Sequence, residues 1–161
     1  MWTQITLADL GHPEHADAIV NLLDAYARDE MGGGRPLSDH VRRNLVPELR
    51  KRHGVHVVLA FAGEEAAGMA ICMQGFSTFA CEPLLNVHDM VVLPAHRGQG
   101  LAGQLLAEVE CIARERGCCK VTLEVLEGNV SAQAAYRRAG FEGYQLDPRM
   151  GRAWFWQKLL G

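Results

Sequence analysis

The chain has 161 residues, 48% of them apolar and 22% charged, with a formal net charge of −3. That is the composition of a globular domain with a sizeable core, and it excludes a disordered chain. It also carries no long basic run to hold nucleic acid or an anionic bilayer, and no apolar stretch near the roughly 20 residues that span a membrane.

Met1-Trp2-Thr3-Gln4-Ile5 lacks the basic-then-apolar pattern of a secretory leader. Cys72, Cys81, Cys111, Cys118 and Cys119 are odd in number and irregular in spacing. They read as reduced thiols of a cytoplasmic protein, not as a disulfide framework. With no repeat and no linker-like segment, residues 1–161 are expected to form a single domain.

In chain order, Trp2 to Leu7 alternates weakly and suits an opening strand. Pro13 fits a first helical position, and Ala16, Ile19, Val20, Leu23 and Tyr26 follow at helical spacing. Gly32-Gly33-Gly34 ends that helix. Ser38 suits the N-cap of a second helix running towards His53, with Gly54 as its stop and Pro47 expected to kink or split it. Val55 to Ala62, Ala66 to Phe76 and Leu84 to Leu93 read as consecutive antiparallel strands. A helix over Gln99 to Arg116 carries the apolar stripe Leu101, Leu105, Val109 and Ile112. Lys120 to Glu127 reads as a strand, Ser131 to Ala139 as a helix closed by Gly140, and Phe141 to Leu146 and Arg152 to Leu159 as two final strands.

The most informative stretch joins a buried strand to an amphipathic helix: Val91-Val92-Leu93-Pro94-Ala95-His96-Arg97-Gly98-Gln99-Gly100-Leu101-Ala102-Gly103. The first N–H groups of a helix lack internal partners and sit at the positive end of its dipole. Gly98 and Gly100 let the backbone approach a ligand closely, and Arg97 adds fixed positive charge. The segment is thus suited to a pyrophosphate. It lacks the Gly-Lys-Ser/Thr of a P-loop. It matches the dinucleotide fingerprint Gly-x-Gly-x-x-Gly literally, but antiparallel-looking strands precede it and no second βαβ half follows.

Arg97-Gly98-Gln99-Gly100-Leu101-Ala102 resembles the Arg/Gln-x-x-Gly-x-Gly/Ala motif of the GNAT superfamily of N-acyltransferases. Asn129-Val130-Ser131-Ala132-Gln133-Ala134-Ala135-Tyr136-Arg137-Arg138-Ala139-Gly140-Phe141 is similar to that family's Asn-x-x-Ala-x-x-x-Tyr-x-x-x-Gly-Phe segment. The layout is most similar to the small-amine branch that includes spermidine/spermine N-acetyltransferases, in Phe76-Ser77-Thr78-Phe79, the Leu84-to-Asp89 approach and Trp154 to Leu160.

The resemblance implies an α/β (α+β) fold with a mixed sheet of six to seven strands flanked by about four helices. It implies acetyl-CoA as cosubstrate, no metal, a small-molecule amine as acceptor and a homodimer. Arg97, Gly98, Gln99, Gly100, Leu101 and Ala102 would hold the pyrophosphate. Met90, Val91, Val92 and Asn129 would line the pantetheine, and Tyr136 would lie near the thioester sulfur.

Transfer to an amine requires the ammonium to lose a proton, the developing oxyanion to meet fixed donors, and the departing thiolate to be protonated. Tyr136 is the acid candidate. His88 and Asp89 are polar residues in an otherwise apolar strand, on opposite faces by alternation. Many family members carry Glu where His88 stands. Imidazole titrates near neutral pH and suits a base, whereas Asp89 needs burial to raise it or a water to relay the proton. His88, Asp89 and water all remain open as the base.

A cationic acceptor would favour acid groups, and Asp29, Glu30, Glu82 and Asp89 are available. The His12/His15 and His53/His56 pairs lack a third metal ligand in sequence and read as solvated surface residues. Trp154 and Trp156 share one strand face and read as a core or dimer contact. An acyl-CoA-binding domain without turnover, or transfer to a protein lysine or N-terminus, is the alternative to a small-molecule enzyme.

Overall fold

The computed structural model describes residues 2–161. Five strands form one sheet in the order β1-β2-β3-β4-β5: β1 is Thr3–Leu7, β2 Val55–Ala62, β3 Glu65–Ser77, β4 Glu82–Val92 and β5 Val121–Leu123. The first four pair antiparallel, and β5 joins β4 in parallel. The helices are α1 (Pro13–Arg28), α2 (Asp39–Arg50), α3 (Leu101–Glu115) and α4 (Val130–Arg138).

Alternation along the central strands sorts the core into two layers. Val57, Leu59, Met69 and Ile71 face α1 and α2, whose Ile19, Leu22, Val46 and Leu49 cover them. Val58, Ala60, Ala70 and Cys72 face the other way, under Leu105, Val109 and Ile112 of α3 and Tyr136 of α4. The mixed sheet with helices on both faces is the expected fold class, with fewer strands than expected.

Local chemistry sets most of the element ends. Ser38 Oγ accepts the Val41 N–H at 3.3 Å and caps α2. Pro47 does not split α2, which runs unbroken to Arg50. His56 is buried on β2 and its Nε2 has no partner, so the reading of it as a solvated histidine is corrected. The Lys120-to-Glu127 strand is cut to Val121–Leu123.

The two strands expected over Phe141 to Leu146 and Arg152 to Leu159 do not form. Neither segment pairs with the sheet, although β5 has a free edge: β propensity does not by itself supply a pairing partner. Trp154 and Trp156 stack on each other, centroids 6.5 Å apart, and neither enters the core.

Candidate active site

One irregularity in β4 organises the site. Ile71 pairs with Asp89 and Cys72 with Val87, so His88 is an extra, unpaired residue. The bulge changes the phase of the strand. Leu85 and Val87 face the α3 layer before it, and Met90 and Val92 face that layer after it. Without the bulge, the run from Asp89 onward would present the opposite side chains.

Pairing between β4 and β5 reaches only from Leu85↔Val121 to Val87↔Leu123. Beyond the bulge, β4 has no neighbour on its β5 side. Leu93 donates its N–H to Ala67 of β3 at 2.9 Å, so by alternation the peptide groups of Met90 and Val92 point away from β3, into the gap. A cavity of ≈ 990 Å³ occupies this opening.

At one end of the cavity lies the β4–α3 loop. Gly98 and Gly100 have φ of 75° and 80°, left-handed values that favour glycine, and a Cβ at either would meet nothing within 4 Å. No side chain caps α3, whose first backbone bond runs from Gln104 N–H to Gly100 C=O. Among the described residues, the N–H groups from Gly98 through Gly103 have no backbone acceptor. Unpartnered amides at a helix start, with cationic Arg97, Arg114, Lys120 and Arg138 in the cavity wall, fit a phosphate-bearing ligand.

Arg97 departs from a simple phosphate clamp. Its Nε donates to the Val92 carbonyl at 3.0 Å and its Nη2 to Asp29 Oδ2 at 2.8 Å. The Arg97 guanidinium holds the Asp29 carboxyl below the usual carboxylate range, helped by the Met31 N–H that the same carboxylate accepts. The residue therefore ties the phosphate loop to the turn that follows α1.

The rest of this wall comes from α1, β4 and α4, and it meets the loop through the Asp29–Arg97 pair. Tyr26, Asp29 and Met31 come from the end of α1, His88 from the bulge and Tyr136 from α4. Burial raises the Tyr136 phenol, and the nearby Tyr26 adds to this. Burial likewise raises Tyr26, with Asp89 and Asp29 pushing the same way. Both phenols thus keep their protons at neutral pH. Asp89 shares the α1-facing side of β4 with Val91. Burial raises its carboxyl, and only His88 pulls it down.

Most expected site residues converge here: His88, Met90, Val91, Val92, Arg97, Gly98, Gly100, Leu101, Ala102, Asn129 and Tyr136 all contribute to the cavity wall. Asp89 sits behind the wall, and Gln99 turns out of it, donating to the Ala95 carbonyl at 3.2 Å. Asn129 spends its Oδ1 on the Ala132 N–H at 3.1 Å, capping α4 and leaving its amide N–H₂. Tyr26 was missed, because its spacing marks it only as one more member of the α1 stripe.

Outside the cavity, burial pushes the Cys72 thiol up to about 12, which makes it unreactive packing. Among the described residues no cluster of three or more metal-ligating side chains occurs.

Comparison with known proteins gives a consistent picture. The model of the Acetyltransferase (GNAT) family matches residues 17–141. The chain is 32% identical over 127 residues to a thialysine N-epsilon-acetyltransferase of Caenorhabditis elegans, covering 77% of this chain and 75% of that one. It is 34% identical over 91 residues to an aminoalkylphosphonate N-acetyltransferase of Salmonella typhimurium, covering 56% and 57%. Among solved structures, a probable acetyltransferase superposes with a TM-score of 0.80 at 24% identity, covering 98% of this chain and 99% of that one. AAC(6')-Iy in complex with the bisubstrate analogue CoA-S-monomethyl-acetylneamine superposes with a TM-score of 0.75 at 21% identity, covering 99% and 100%.

Proposed function

Because the chain belongs to the acetyltransferase (GNAT) family and is an acyl-CoA-dependent N-acetyltransferase, we propose that it acetylates a small-molecule primary amine by direct attack on the thioester within a ternary complex. The observation that carries this reading is the gap between β4 and β5. Peptide groups at Met90 and Val92 that no strand pairs, the Val92 carbonyl alone being taken by Arg97, connect a phosphate-binding helix start to a pocket of titratable side chains.

In this reading the N–H groups from Gly98 to Gly103 hold the pyrophosphate, with Arg97, Gln99, Leu101 and Ala102 shaping the loop. Met90, Val91, Val92 and Asn129 line the pantetheine arm. Bound acetyl-CoA supplies the activated acyl group. The Met90 N–H is the fixed donor for charge developing on the thioester oxygen. Tyr136, kept protonated by burial, donates to the leaving sulfur. His88, in the cavity wall, takes the proton of the attacking amine. Asp89 lies behind it beside Tyr26, and its negative charge favours a cationic acceptor at this end.

Small amines appear in the names of the relatives, thialysine and aminoalkylphosphonate among them. The wall formed by Tyr26 and His88 suits a small amine of that kind. Residues 1–161 would act as one catalytic domain, in the cytoplasm and as a homodimer, without metal. No described helix is long and apolar enough to cross a membrane.

The test is free-thiol release from acetyl-CoA with a panel of polyamines, diamines, amino acids, aminoglycosides and lysine peptides. Amine-dependent release confined to small acceptors supports the reading. Release with the peptides alone would replace it with protein acetylation. Binding of acetyl-CoA, seen as a raised Tm, without release from any acceptor would favour a binding domain.

A further inference from the structure

Arg97 belongs to the phosphate loop by sequence, but its side chain is spent elsewhere. Its Nε donates to the Val92 carbonyl at 3.0 Å and its Nη2 to Asp29 Oδ2 at 2.8 Å. Together the two bonds set the guanidinium plane between the last residue of β4 and the residue that ends α1. To follow a phosphate, this side chain would have to give both bonds up. The N–H groups from Gly98 through Gly103 have no backbone acceptor to give up among the described residues, so they take an anion at lower cost.

Asp29 organises the turn that follows α1. Its Oδ1 accepts the Met31 N–H at 3.0 Å. Its backbone carbonyl accepts the N–H groups of Gly32 at 2.9 Å and Gly34 at 3.0 Å. The turn lies tight against the end of α1, where a Cβ at Gly32 would collide with the Tyr26 carbonyl. Gly33 and Gly34 follow at φ of 108° and 71° with open space around them, and Arg35 N–H returns to the Ala27 carbonyl at 3.0 Å. Among the described residues, every hydrogen bond of residues 29–36 runs to α1 or within the turn, except the one to Arg97. One side chain of the phosphate loop therefore ties this turn to the rest of the fold. Asp29 and Met31 line the cavity together with Tyr26 and His88.

We propose that Arg97 is a positioning residue for the acceptor amine: braced on Val92, its guanidinium fixes the Asp29–Met31 turn against the cavity, and the pyrophosphate is left to the amides of Gly98 to Gly103. The proposal rests on the small-amine reading above and assigns the loop's arginine to that substrate. It also gives Asp29 a definite part. Its carboxylate is already paired with a cation, so it shapes the wall through the turn and is not the counter-ion of the amine. The two assignments differ in sign. A positioning Arg97 helps the amine, whereas an Arg97 that merely occupied Asp29 would compete with it.

Steady-state thiol release with spermidine, putrescine, lysine and thialysine in turn as acceptor tests this, together with calorimetric binding of acetyl-CoA. The proteins are the full-length wild type, R97Q, R97K, D29N and R97Q/D29N. R97Q and D29N should each raise the KM of the amine about fivefold, the most that a part-exposed ion pair usually supplies, and weaken acetyl-CoA by less. R97Q/D29N should show no further rise, because both substitutions remove the same bond. R97K should recover part of the loss, since it keeps the charge but not the planar fork that reaches Val92 and Asp29 together.

A lower amine KM in R97Q would overturn the proposal and make Asp29 the direct counter-ion of the amine. Weaker acetyl-CoA binding in R97Q with an unchanged amine KM would overturn it in favour of a phosphate clamp. Additive losses in R97Q/D29N would overturn it as well, because the two residues would then act separately. A wild type that releases no thiol with any of the four amines would overturn the small-amine function and this inference together. Should R97Q lose its far-UV dichroism, R97K decides between the same outcomes by the same signs.

Discussion

Tyr136 is a side chain for which packing and the proposed chemistry coincide. It is buried in the α3 layer and lines the cavity, and burial raises its phenol. Its acid role predicts that Tyr136→Phe lowers kcat by about 10²-fold while acetyl-CoA affinity stays within about threefold. The sign of the pH effect follows from the raised phenol. Wild-type kcat should hold through neutral pH and fall only well into the alkaline range, and the variant should lose that alkaline fall. Steady-state kinetics across pH, with calorimetric binding of acetyl-CoA, measures both. An unchanged rate would remove Tyr136 from the mechanism. His88 and Asp89 could be recognised from sequence as polar residues in an apolar strand. The bulge that puts one in the cavity and the other behind it was not readable, because it depends on which β3 residue each faces.

The loop from Arg97 to Gly103 is the element whose local sequence says most. Two glycines at left-handed φ and an uncapped helix start are properties of the segment itself, so its suitability for an anion was readable before any tertiary contact was known. Gly100→Arg should therefore weaken acetyl-CoA binding at least about tenfold. Its folding cost should be small, on the order of 1 kcal/mol from the left-handed backbone. Titration calorimetry and a melting curve separate the two effects, and normal affinity would refute the phosphate-loop assignment. The tie of Arg97 to Asp29 and Val92 is different. It spans distant elements, and the sequence offered Arg97 only as a free cation. The final pair of expected strands failed for a related reason: propensity can favour a strand, but pairing is a tertiary contact, and neither segment joins the free edge of β5.

At the scale of the molecule, the two-layer core carries one conspicuous defect, the buried His56 with its unpartnered Nε2. Burial lowers the His56 pKa, and Arg116 adds to this. The unfolded chain therefore binds this proton more readily than the folded one. The contribution of His56 to stability is whole above its unfolded pKa of about 6.5 and declines as pH falls below it. Between pH 7.5 and 5.5, wild-type Tm should drop by a few degrees more than that of His56→Leu, roughly what 1 kcal/mol gives in a domain of this size. Thermal melts at the two pH values decide it, and parallel losses would show that other groups dominate.

The chain's own sequence determined the element order as far as α4, the apolar stripes of the helices, the glycine-rich β4–α3 turn and the family motifs. Each depends on periodicity, propensity or contiguous spacing, which are local. Tertiary structure alone decided that the β4–β5 pairing stops after Val87, that Tyr26 from α1 joins Tyr136 from α4, that Arg97 reaches Asp29, and that the C-terminal segment lies outside the core. These are contacts between residues far apart in sequence, fixed by register, bulge and the number of available edges, and no local pattern encodes them.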